Sequence, residues 1–170
     1  MSLEEGIKST DVATIKAARG IAKGQVTKNV NYLRDQLVIE EGKFVFEEID
    51  DNKIQEYYLK LEKAVVTFED LHERYKFYYT EKETAPEKKK TFHEEESIFR
   101  ENALKDFNAI NRCCIKYKKA LAASIEQRAE NSTKEMKLAL LTYSLEAAKK
   151  DLIETKEHAK TVIESTDEYV

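Results

Sequence analysis

The sequence predicts an all-α protein, an elongated antiparallel helical bundle of about four long helices with coiled-coil-like packing. Three observations carry this reading. The 170-residue chain holds four Gly and one Pro, and from Lys43 onward it has no glycine and only Pro86; strands joined by tight turns need such residues at close intervals. Apolar residues recur at steps of three and four over most of the chain, the period of a helix face. A composition 41% hydrophobic and 36% charged suits one soluble domain and leaves out collagen-like, disulfide-stapled and membrane-spanning classes.

Taken in order, residues 1–9 read as a frayed lead-in, and Thr10 with Asp11 supplies a helix start. Ile15, Ala18, Ala22, Val26, Val30, Leu33 and Leu37 share one face of this first helix, and Gly42 is expected to end it as a left-handed cap. A second helix begins near Glu47 or Asp50. Its heptad seam contains Ile54, Tyr58, Leu61, Val65, Phe68, His72 and Tyr75, and Tyr57, Ala64, Leu71 and Tyr78 widen it.

Residues 81–90, EKETAPEKKK, read as the loop dividing the domain 1–170 into a helical hairpin 10–80 and a second hairpin 91–165. Phe92, Glu96, Phe99, Ala103, Phe107, Ile110, Cys114, Tyr117, Leu121 and Ile125 lie on the expected stripe of the third helix. Ser132 with Glu135 is a capping-box pattern that predicts a fourth helix start, with one continuous helix as the alternative. The fourth stripe is Leu138, Leu141, Leu145, Ala148, Leu152, Thr155, Ala159 and Val162. Segments of about 30 residues would each be about 45 Å long at 1.5 Å per residue.

The 29 Lys and Arg residues against 33 Asp and Glu make a net charge of −4, which exerts no general pull on nucleic acid. Locally, Val12 to Arg34 carries bases and no acid. Lys16, Arg19 and Lys23 share a helix face and form a candidate polyanion-binding surface for RNA phosphates or an anionic membrane. Gly20 and Gly24 form a small-residue ridge. Interior glycine costs about 1 kcal/mol relative to alanine, so the pair predicts close approach of another helix, or else a bend point.

No catalytic constellation, metal-ligand set or cofactor motif is legible, so an enzyme and a small-molecule substrate are not expected. His72 sits on the seam and reads as a satisfied core histidine; His93 with Glu94, Glu95 and Glu96 reads as helix-start charge. Adjacent Cys113 and Cys114 diverge on a helix and read as reduced, with Cys114 in the core. The N-terminus has no apolar run for a signal or span, and Ser2 fails the myristoylation pattern, so the expected location is cytoplasmic.

Residues Ala17 to Leu33, AARGIAKGQVTKNVNYL, carry a resemblance. With Arg19, Lys23, Gly24, Thr27 and Leu33 at the places of its opening pattern, followed by the helix Ile54–Tyr79, an acidic loop and FHEEESIFRENALKDF, the chain resembles the helical Gag-like N-terminal segment of Bel/Pao-type retrotransposons over about residues 12–122. Cys-His knuckles and an Asp-Ser/Thr-Gly peptidase turn do not occur in these 170 residues, so the resemblance is to a Gag segment alone, excised or stand-alone. It implies a structural, assembly role. The leading expectation is a non-enzymatic module that packs by its helices against itself, as a dimer or higher assembly, or against another helical protein. The alternatives are a nucleic-acid or membrane-surface adaptor using the first helix and an unrelated coiled-coil scaffold.

Overall fold

The structure, a computed structural model, describes residues 1–167, and the chain is all-α. Its helices are α1 (Leu3–Lys8), α2 (Val12–Gln36), α3 (Asp51–Lys82) and α4 (Pro86–Asp167). A two-residue ladder, β1 (Ile39–Glu40) against β2 (Lys43–Phe44), and a 3-10 turn at Phe46–Glu48 lie between α2 and α3. The chain divides into two compact units, Met1–Ala120 and Leu121–Val170.

The first unit is a three-helix bundle with α1 packed against α2 and α3. Arg19 meets His72 and Tyr32 stacks on Tyr57, so α2 and α3 run antiparallel. Glu69 meets Arg100, Tyr58 meets Asn111 and Asp51 meets Tyr117, so α3 and the first part of α4 are antiparallel too. The core is built from Ile15, Ala18, Ala22, Val26, Val30 and Leu33 of α2, Ile54, Leu61, Ala64, Phe68, Leu71 and Tyr75 of α3, and Phe92, Leu104, Ile110, Cys114 and Tyr117 of α4, all buried. Tyr58 and Val65 are half-buried at the edge of this core.

Local chemistry fixes the boundaries. Asp11 caps α2, its carboxylate accepting from the Thr14 N–H at 2.9 Å and the Thr14 hydroxyl at 2.8 Å. Asp50 caps α3 by accepting from the Asn52 and Lys53 amides at 3.1 and 3.3 Å. Gly42 does not end α2, which stops at Gln36. Glu41 and Gly42 both have positive φ, 51° and 75°, the requirement of a two-residue turn between twisted strands, so this glycine closes the β1–β2 hairpin. That hairpin brings Phe44 edge-on to Tyr117 with centroids 5.5 Å apart.

The connection expected over 81–90 shortens to Glu83–Ala85, because Pro86 takes the first helical position, where a missing N–H costs nothing. The fourth helix start at Ser132 is not used, and the expected hairpin 91–165 does not form. Helix α4 continues through Ser132, since Ala129, Glu130, Lys134, Glu135 and Met136 are strong helix formers with no Gly or Pro among them. Thr133 donates back to the Ala129 carbonyl at 3.0 Å, as a hydroxyl within a helix does.

Residues 1–9 are not frayed. Ser2 and Glu5 form a reciprocal capping box, and Gly6 is buried against Ala18. A Cβ on Gly6 would overlap the Ala18 Cβ and lie 3.4 Å from Leu71 Cδ2. Close helix approach therefore belongs to Gly6, whereas Cβ atoms at Gly20 and Gly24 would meet nothing within 4 Å. Opposite signs follow for one chemical change. Gly6→Ala is expected to destabilise the bundle by about 1–3 kcal/mol through overpacking, and Gly20→Ala to stabilise it by about 0.5–1 kcal/mol through helix propensity, both read from urea unfolding.

Candidate functional site

Inside the bundle, three helices contribute one charged residue or imidazole each to a single polar cluster. Arg19 of α2 is 3% exposed and His72 of α3 is 1% exposed. Arg19 Nη1 donates to His72 Nδ1 at 3.1 Å and to the Glu96 carboxylate of α4. Glu96 Oε2 lies 3.6 Å from His72 Nδ1. The guanidinium is held between the Tyr75 and Phe99 rings, 4.3 and 4.1 Å from their centroids. Phe68 and Phe99 flank the imidazole, with centroids 5.8 and 6.3 Å away.

These positions follow from the stripes. His72 and Glu96 occupy core-facing places in their helices, and Arg19 follows core-facing Ala18, so folding drives all three inward. Burying a charge is costly unless it is paired, and the Arg19–Glu96 pair meets that requirement. Arg19 Nε has no partner and remains an unsatisfied buried donor.

Burial pushes the His72 pKa below its ordinary 6.5, helped by the Arg19 charge and opposed by Glu96. The imidazole is therefore neutral near pH 7 and accepts from Arg19 through Nδ1, which assigns its proton to Nε2. In the unfolded chain the same ring takes up a proton below pH 6.5, so acid favours the unfolded state. Lys76 lowers and Glu73 raises this pKa from the same helix, and neither outweighs burial. Bundle stability should decline as pH falls below 6.5, and His72→Gln should flatten that slope in urea midpoints measured from pH 7 to 5.

The proposed polyanion face needs Lys16, Arg19 and Lys23 to be accessible together, and the structure separates them. Lys16 is exposed, Arg19 is sealed in the core, and half-buried Lys23 sets its ammonium 4.9 Å from the Phe99 centroid. Arg19 is thus a structural cation with its own internal anion. A basic residue one step from an apolar stripe can snorkel outward or turn inward, and Glu96 decides the matter here.

The tyrosines of α3 also find partners within the bundle. Tyr57 stacks on Tyr32 at 3.4 Å, Tyr58 donates to Asn111 at 2.6 Å, Tyr75 lies against Arg19, Tyr78 under Arg74, and Tyr79 stacks on Phe92 at 3.8 Å. Cys114 is fully buried and its thiol is pushed up to about 11 by burial, while Cys113 is half-buried. Among the described residues no group of three His, Cys, Asp or Glu side chains is placed to hold a metal ion. No helix among them is long and apolar enough to cross a membrane.

The second unit presents a different surface. Every residue from Ile125 to Asp167 is exposed. Leu138, Leu141 and Leu145 are 65%, 68% and 57% exposed, and Leu152 and Val162 are 56% and 50% exposed. These residues, with Ala148, Thr155 and Ala159, keep an unbroken three-four alternation along one helix face.

No protein-family model matches this chain, and neither a curated protein nor a solved structure does.

Proposed function

We propose that this chain is a non-enzymatic assembly module that works by helix packing between copies, in the manner of a retroelement Gag segment. The observation that supports it best is the exposed heptad seam of α4 between Leu138 and Val162. A solvated helix of this length gains little from propensity alone, and most helical stability in proteins comes from packing an apolar face. Five large aliphatic side chains at seam spacing form an apolar surface that a monomer would have to keep in water.

The polar cluster fits the same reading. His72 Nδ1 and Glu96 Oε2 are both engaged by Arg19, and aromatic rings cover the guanidinium on two sides. Such a cluster registers three helices against one another rather than meeting a substrate.

Sedimentation equilibrium tests the reading because it is insensitive to shape. A weight-average mass well above the 19.7 kDa of one chain at micromolar concentration is expected. A single monomer mass up to about 100 μM, weaker than functional oligomers ordinarily associate, would overturn it.

A further inference from the structure

From the α4 seam we infer the partner and its direction: residues 138–162 pair with the same segment of a second copy as a parallel, in-register, two-stranded coiled coil. The inference rests on the assembly reading above and goes beyond it in naming the segment, the occupant and the orientation.

Leu138, Leu145 and Leu152 are seven residues apart and hold one core position of the heptad; Leu141 and Val162 belong to the other. A seven-residue repeat drifts slowly around a straight helix, and two helices that keep it in contact wind about each other with a left-handed supercoil. Both core positions are exposed, so the seam is open along its whole length.

The flanking charges choose the occupant and its direction. With Leu138 as the first core position, Lys149 and Lys156 fall immediately after the second core position, and Asp151 falls immediately before the first. Parallel, in-register pairing sets each residue of the Asp151 kind beside the residue five places on in the other chain. Asp151 then meets Lys156 of the second copy, twice by symmetry, and Ser144 meets Lys149 with no like charges opposed. Antiparallel pairing over the same segment sets Leu138 against Val162 and Leu145 against Thr155, and brings Lys149 beside Lys156 of the other copy, a repulsion. Among the described residues neither Asp151 nor Lys156 has an ion-pair partner within its own chain, so both are available for this contact.

The test uses the full chain. In sedimentation equilibrium the wild type should be a dimer and the double variant L145D/L152D a monomer, with the near-ultraviolet dichroism of the bundle tyrosines unchanged as the folding control. Direction is read by cysteine pairing on a Cys113→Ser background, where Cys114 is fully buried. Leu138→Cys should form a disulfide dimer with itself in a glutathione redox buffer, and mixing it with Val162→Cys should give no preferred mixed dimer. A preferred 138–162 link would overturn the parallel direction and leave self-assembly standing. A wild-type dimer untouched by L145D/L152D would overturn the segment while leaving the assembly reading intact, and a wild-type monomer throughout would overturn both.

Discussion

Arg19→Ala is expected to lower the unfolding free energy by about 3–5 kcal/mol, the range for removing one partner of a buried ion pair. The change leaves Glu96 with a carboxylate only 12% exposed and no guanidinium to answer it, and it deprives His72 Nδ1 of its donor at 3.1 Å. It also opens the space between Tyr75 and Phe99 that the guanidinium fills. Lys16→Ala, one turn away and exposed, should change stability by no more than about 0.5 kcal/mol.

The pair also admits a sharper measurement. Arg19→Met with Glu96→Leu replaces both charges by apolar side chains of similar length, removing the unsatisfied Nε as well. That double variant should be much less destabilised than the sum of its two single variants, a coupling energy of about 1–3 kcal/mol in a double-mutant cycle. Additive losses would mean that Arg19 contributes by packing against the rings alone. The cluster's value then lies in selecting one helix register, because Arg19 must face both α3 and α4 at one level of the bundle.

Helix periodicity makes the stripes of the bundle legible in the sequence. Ala18, Ala22, Val26, Val30 and Leu33 on α2 and Ile54, Leu61, Phe68 and Tyr75 on α3 are spaced so regularly that only one face can be apolar. What local pattern could not reveal is which polar neighbours the fold would bring together. Arg19, His72 and Glu96 are 53 and 24 residues apart in succession, and only the antiparallel stacking of α3 between two neighbours makes them one cluster. The available signal was that His72 and Glu96 interrupt apolar seams, where a polar residue needs a buried partner.

The glycines misled for a related reason. Gly20 and Gly24 form a ridge by spacing, yet a ridge acts only if a helix packs on it, and α1 packs instead where Gly6 meets Ala18. Ser132 with Glu135 likewise has the composition of a cap, but a capping box marks a new helix start only where the preceding residues also favour leaving the helix. None of Arg128 to Asn131 is a Gly or Pro that would do so.

Phe68→Ala should cost about 3–5 kcal/mol, the range for truncating a buried aromatic ring. Its ring is fully buried, stacks on His72 and tilts against Phe99 at 6.1 Å, so its removal creates a void shared by α3 and α4 beside the polar cluster. Leu141→Ala is the matched control. Leu141 has the same seam spacing in sequence but is 68% exposed in the second unit, and its truncation should move bundle unfolding by no more than about 0.5 kcal/mol while weakening self-association. The signal for both is tyrosine dichroism, because all the tyrosines except Tyr143 and Tyr169 precede Leu121. Two variants of equal cost would mean that the Leu141 seam is already buried under the conditions of measurement. A Phe68→Ala loss below about 1 kcal/mol would mean that the bundle core collapses around the void, and the polar cluster would then have to hold the register of the three helices without a rigid wall behind it.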